Sequence, residues 1–207
     1  MYARTTTIIS APSAIESGIA YVRDEVWPAV RQMDGCLGMS MIVDRESCKG
    51  ITTTSWETEE ALRATRGMVM PLRERAMELM GAGEPTVEEW EIASMHRSHA
   101  THPGACVRAA WSRVPNGHID RALDFYKHTL LPEIESEEGF VSASLLIDRA
   151  TGRGVTSVAF DSREAMERTR DHADYLRERS TQEAHVEFLD VAEFELAMAH
   201  LHVPELV

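Results

Sequence analysis

Three cysteines are all that the 207 residues contain, Cys36, Cys48 and Cys106, and none stands in a CxxC pair. An odd, scattered set argues against a disulfide framework and reads as free thiols in a reducing cytoplasm. Long apolar runs are missing, so no segment approaches a membrane span. Residue 2 already begins a strand-like pattern, so no signal peptide is expected. Basic residues are short: 21 Lys and Arg face 34 Asp and Glu, for a net charge of −13. Both halves of the chain share this deficit, which argues against nucleic acid and anionic membranes as partners. A phosphate-cradling glycine loop, a GxSxG elbow and a dinucleotide fingerprint are also absent, which leaves no flavin or nicotinamide motif.

What is present is present twice. Shifted by a constant offset of 104 with no gap, the second half falls on the first. Arg4 meets Arg108, Pro28 meets Pro132, and Gly35 meets Gly139. Leu72-Arg73-Glu74-Arg75 meets Leu176-Arg177-Glu178-Arg179. A repeat of this length is a duplicated domain. The expected division is a domain over 1–95, a linker over 96–104 and a second domain over 105–207.

Each copy reads as strand, helix, two strands, helix, strand. In the first copy the strands fall at 2–10, 37–45, 51–57 and 86–95. Ser13 with Glu16 reads as a capping box for a helix reaching about Met33, which Pro28 kinks or ends early. Gly35 suits the left-handed residue beyond its end. Thr58 can cap a second helix running to about Met80. The order βαββαβ is the ferredoxin-like unit. The fold class expected is therefore α+β, a tandem duplication of that unit, with two sheets packed as an intramolecular barrel. Alternation in the last strand sets Trp90 and Ile92 against Glu89, Glu91 and Ala93, and the aromatic face is expected to meet the helices.

The turns Ser55-Trp56-Glu57-Thr58-Glu59-Glu60-Ala61-Leu62 and Ala159-Phe160-Asp161-Ser162-Arg163-Glu164-Ala165-Met166 carry a resemblance. Both resemble the strand-to-helix turn of antibiotic-biosynthesis-monooxygenase-like (ABM) domains in the dimeric α+β barrel superfamily. The resemblance covers nearly the whole chain, twice. It implies a monooxygenase or other oxidoreductase acting on an aromatic or polyketide-like compound, in a pocket between sheet and helices. Oxygen chemistry there would be cofactor-free or haem-dependent. The departures are specific. Where many such domains place a histidine nine positions after the tryptophan, this chain has Thr65 and Thr169. Haem-degrading members use an asparagine on the first strand, whereas the single asparagine here, Asn116, sits at a turn-like helix start.

The halves differ at the positions that carry chemistry. His172 lies on the second helix of the second copy, as a general base, a haem ligand, or a solvent-facing histidine. Trp111, Tyr126 and His128 replace Thr7, Val22 and Asp24, and Trp111 with Tyr126 can shape a pocket. Arg108 anchors an anion, or it pairs with a glutamate on the fourth strand as Arg4 does, Glu91 and Glu195 being the partners expected. The first half holds nine of the eleven methionines, Met68 among them. These form a soft lining for an apolar ligand such as haem, or core filler. His96, His99 and His102 share a linker spacing without a cysteine or carboxylate nearby, so no metal site is expected. The partner expected is a small apolar or aromatic molecule, with the chain a monomeric pseudo-dimer or a homodimer. A binding module without catalysis, or a structural pseudo-dimer, is the alternative.

Overall fold

The computed structural model describes residues 1–115 and 117–206; Asn116, read above as part of a helix start, lies outside them. Threonine and isoleucine, β-branched and suited to a pleated surface, build β1 (Tyr2–Ile9). A helical segment follows as α1 (Ile15–Tyr21), a π-helical turn (Val22–Val26) and α2 (Trp27–Val30). Pro28 has no N–H to give the preceding turn, and the Trp27 amide instead reaches the Val22 carbonyl five residues back. The hairpin of β2 (Cys36–Asp44) and β3 (Lys49–Trp56) comes next. After it come α3 (Glu59–Ala64), α4 (Arg66–Met80) and β4 (Thr86–Arg97).

The second copy repeats this in β5 (Cys106–Arg113), α5 (Ile119–Phe125), a π-helical turn (Tyr126–Leu130) and α6 (Leu131–Glu135). It continues with β6 (Phe140–Asp148), β7 (Arg153–Phe160), α7 (Arg163–Arg168), α8 (Arg170–Ala184) and β8 (Glu187–Leu201). Pro132 follows its π turn as Pro28 does.

The chain divides into two compact units, Met1–Trp90 with Leu196–Val203, and Glu91–Glu195 with Pro204–Val207. In the first unit the strand order is β4-β1-β3-β2-β8; in the second it is β8-β5-β7-β6-β4. The described ladders are antiparallel, with Arg4 opposite Thr54 on β3 and Arg108 opposite both Val158 on β7 and Glu193 on β8. Each unit is a ferredoxin-like α+β layer with its own core. In the first, Met39, Met41, Val43, Ala76 and Met80 pack together, and Trp56 is fully buried with Val30 and Leu62. In the second, Tyr126, Leu131, Phe140, Ile147 and Leu176 do so.

Local signals were mostly obeyed. Thr58 and Ser162 cap α3 and α7, each accepting from a backbone amide three residues on, at 3.1 Å. Gly35 and Gly139 take φ of 76° and 84°. A Cβ on either would come within 2.7 Å of the Ala61 or Ala165 methyl, so glycine is required there for space as well as for backbone.

Three expectations are corrected. Ser13 makes no cap: a short 3₁₀ turn (Pro12–Ala14) precedes α1, and its Ala14 cap position has no side-chain bond. The second helix of each copy is broken at Thr65 and Thr169. The faces of the last strands are also opposite to the expectation. Arg4 and Glu89 take the helix side of the first sheet, so Trp90 falls on the reverse side, where its Nε1 donates to Thr5 Oγ1 at 2.9 Å. Two buried arginines need two glutamates beside them, and that requirement overrides the preference of an aromatic face for the helices.

Candidate functional site

Each unit holds a cleft between its sheet and its helices. The cleft of the second unit spans about 630 Å³, much of it solvent space at its open mouth. Its floor is Arg108, Ala110, Thr156 and Val158 from the sheet, closed at one end by Phe160. Its walls are Tyr126 and Leu130 from the π turn, and Thr169, His172 and Leu176 around α8. Glu137, just beyond α6, completes the lining.

Arg108 is buried and nearly saturated. Its Nη2 meets Glu193 Oε1 at 3.0 Å and the Met166 carbonyl at 2.7 Å, and its Nη1 donates to Thr169 Oγ1 at 2.9 Å. Burial acts to raise the Glu193 carboxyl; hydrogen bonds from Arg108 and Arg170 outweigh it and hold the group below the usual carboxylate range. Arg4 repeats the arrangement with Glu89 (3.0 Å), the Leu62 carbonyl (2.6 Å) and Thr65 Oγ1 (3.2 Å). The partners are thus Glu89 and Glu193, two residues before the expected Glu91 and Glu195. The threonines at the family's histidine positions have a use of their own: each locks an arginine to the break between two helices.

Tyr126 is buried, and its hydroxyl has no hydrogen-bond partner among the described residues. Burial alone pushes its phenol up from the ordinary value, so it is a neutral donor at any physiological pH. His172 is half-buried, with Nδ1 on Glu137 Oε1 and Nε2 3.5 Å from Glu133 Oε2. Glu133 is itself held by Arg179 at 2.7 Å. The π turn brings Tyr126 in and the N-terminal half of α8 brings His172, so the two line one cleft.

The remaining sequence candidates fall outside that lining. Trp111 alternates with Ala110 along β5, so it lies on the reverse side of the sheet, edge-on to Phe194 at 6.3 Å. Met68 is 58% exposed on α4 and lines no cleft described here. His128 is exposed, bonded through Nδ1 to the Asp124 carbonyl. His99 and His102 do have a carboxylate nearby, contrary to expectation: both Nε2 atoms lie 2.9 Å from Asp161 Oδ1. Among the described residues no group of histidine, cysteine and carboxylate side chains is arranged to hold a metal. The donors do not fit a haem iron either. Both nitrogens of His172 are directed at carboxylates, and Met68 faces solvent.

Glu137 was not singled out from the sequence. Its counterpart at the 104-residue offset is Met33, as Met68 is that of His172 and Val22 that of Tyr126. Three polar groups facing one cleft in one copy, each apolar in the other, is a signal the alignment of the repeats carries.

No family model matches the chain. Two Mycobacterium tuberculosis H37Rv proteins match it along its whole length. Rv2557 is 54% identical over 207 residues, which span 92% of that protein; Rv2558 is 53% identical over 208 residues and 88%. Both are named only as uncharacterized proteins. Among solved structures, a "putative monooxygenase" of Lactobacillus acidophilus NCFM superposes with a TM-score of 0.73 at 12% identity, over 97% of this chain and 96% of that one. An anthrone oxidase-like protein gives 0.67 at 14% identity, over 99% and 95%. A ferredoxin-fold protein of Listeria monocytogenes 4b F2365, related to antibiotic biosynthesis monooxygenases, gives 0.54 at 9%, over 94% and 95%. At these identities the likeness shows the fold alone: this chain has a ferredoxin-like α+β fold like that of these monooxygenase-like proteins. No helix among the described residues is long and apolar enough to cross a membrane.

Proposed function

We propose that this chain, which belongs to one family with the mycobacterial proteins Rv2557 and Rv2558, is an oxidoreductase whose second-unit cleft oxidises a flat, acidic carbon compound of the anthrone kind. One observation carries the reading: a buried, unpartnered Tyr126 hydroxyl shares a cleft with a carboxylate–imidazole pair, Glu137 and His172. A buried donor without an acceptor costs free energy, and a ligand oxygen placed there recovers it.

The chemistry follows from what such groups do. An anthrone has an activated CH₂ whose loss of a proton leaves an enolate. Glu137 takes that proton and shares it with His172, which Glu133 and Arg179 hold in place. The Tyr126 O–H donates to the enolate oxygen, where charge develops. Phe160, Leu130 and Leu176 supply apolar walls for the ring system and keep water from the carbanion. Molecular oxygen then adds to the carbon. The balance is anthrone plus O₂ to anthraquinone plus water: the CH₂ becomes C=O, and the second oxygen atom leaves as water. Arg108 acts here as a positioning residue, since its donors are spent on Glu193, Thr169 and Met166.

Oxygen uptake and anthraquinone absorbance, measured with anthrone as probe, test the reading. Turnover should exceed the uncatalysed rate and fall at least about 10²-fold in Glu137→Gln and His172→Ala, the scale of general-base loss. Turnover unchanged in both variants would remove the pair from any mechanism. A non-catalytic ligand module is the second reading, favoured by the threonines at the family's histidine positions; stoichiometric anthrone binding without oxygen uptake would establish it.

A further inference from the structure

The first unit has its own cleft, and its chemistry differs. It encloses about 650 Å³, mouth included. Val22, Val26, Met41, Val69, Ala76 and Met80 make it apolar. Two guanidinium groups also line it, Arg4 and Arg73. Arg4 is fully engaged by Glu89, Thr65 and the Leu62 carbonyl. Arg73 is half-buried and has no hydrogen bond or carboxylate partner among the described residues. Burial, and then repulsion from Arg4, act against its charge, and the Glu89 carboxylate, itself bonded to Arg4 and Arg66, acts for it only at a distance.

The second copy shows what is missing. Arg177, the equivalent of Arg73, also lines its cleft and is paired with Asp174 one turn earlier on α8. The residue at that place in the first copy is Met70, 52% exposed. One cleft therefore brings its own counter-ion and the other does not. A cation left unpaired at an apolar cleft is a costly arrangement unless an anion joins it. A guanidinium fork matches the two oxygens of a carboxylate. The remaining surface, methionine and valine, takes an alkyl or flat apolar body without fixing its shape.

We infer that the first-unit cleft is a binding site for a monocarboxylate with an apolar body, held by Arg73 at the mouth. This site stands apart from the oxidation proposed for the second unit, and either can fail without the other.

Octanoate and 1-octanol are the probes, titrated calorimetrically into the whole protein at pH 7.5. Octanoate should bind one per chain, and octanol at least tenfold more weakly. Arg73→Gln should weaken octanoate at least tenfold and leave octanol unchanged. Met70→Asp should do the same by supplying the counter-ion that Arg177 has; its site is on the surface, so it decides the matter if Arg73→Gln does not fold. Arg177→Gln should leave octanoate binding intact. Equal affinity for acid and alcohol would overturn the inference, as would no octanoate binding at millimolar concentration. Loss in Arg177→Gln but not in Arg73→Gln would overturn it as well.

Discussion

Replacing Tyr126 by Phe should stabilise the free protein and cripple the cleft. The hydroxyl is buried and meets no acceptor among the described residues, and an unmade bond of this kind costs about 1–3 kcal/mol. Removing the oxygen lifts that cost and forfeits only a few dispersion contacts of about 0.1–0.2 kcal/mol each. The ring keeps its packing against Leu130, Leu176 and their neighbours. The net expectation is a gain of about 1 kcal/mol, or about 2–4 °C in melting temperature for a chain of this size. Calorimetry and urea unfolding without ligand read that sign. The same substitution takes away the donor proposed for the enolate oxygen, and losing one such donor costs about 10²–10³-fold in turnover. Stability up and turnover down is a pairing that a structural tyrosine does not produce. A loss of 1 kcal/mol or more in Tyr126→Phe would show that the hydroxyl is already bonded in the free protein, and the reasoning would fall.

Glu193→Ala leaves Arg108 buried without its carboxylate and should cost about 3 kcal/mol in urea unfolding, the lower end for a broken buried pair, since Glu193 is 23% exposed. The double variant with Arg108→Met should lose less than the two single losses combined; strict additivity would mean the pair is not coupled. Glu89 and Glu193 are both held below the ordinary carboxyl range. Their contribution is therefore complete above the unfolded value of about 4.3 and disappears as pH falls through their lower folded values. The urea midpoint should fall on acidification from pH 5 to 3, and less steeply in Glu89→Ala/Glu193→Ala. Gly139→Ala should cost about 2–4 kcal/mol, combining a left-handed backbone with a 2.7 Å approach to the Ala165 methyl; a loss under 1 kcal/mol would mean that the turn relaxes freely.

The elements could be read from the chain because their signals are local. Thr58 and Ser162 precede their helices, Gly35 and Gly139 follow theirs, and the 104-residue offset repeats the order. The side of the sheet on which Arg4 and Arg108 lie was a different kind of question. Alternation gives two faces and says nothing of which one meets the helices. That choice was made by Thr65, Thr169 and two helix-end carbonyls, 58 to 61 residues away in sequence. The same limit separates Tyr126 from Trp111. Both looked like pocket aromatics, but a π turn carries one into the cleft and strand alternation carries the other behind the sheet. Glu137 stayed hidden because it follows a helix end in a run of acidic residues, and only its contact with His172 sets it apart.

The pattern of agreement and difference between the copies separates folding from function. The arginine, its glutamate, its threonine and the carbonyl that completes the set are the same in both, at matching distances. A group retained at this cost in both copies serves the scaffold: it ties the first strand, the last strand and the helix break into one buried knot. The clefts beside it diverged. Val22, Met33, Met68 and Met70 in one stand where Tyr126, Glu137, His172 and Asp174 stand in the other. Three of those exchanges line the second cleft with groups that donate or accept protons, and the fourth neutralises its arginine. Buried positions exchanged under packing alone trade volume for volume, and Met68 and Met70 are more than half exposed. An exchange that places tyrosine, glutamate and histidine in one cleft, and leaves an unpaired arginine in the other, instead gives each cleft its own ligand chemistry on a shared frame. Undoing the set would test this directly. Tyr126→Val, Glu137→Met and His172→Met together should abolish anthrone turnover and leave octanoate binding at Arg73 unchanged. Loss of both in a chain that still folds would mean that the two clefts do not carry separate chemistries.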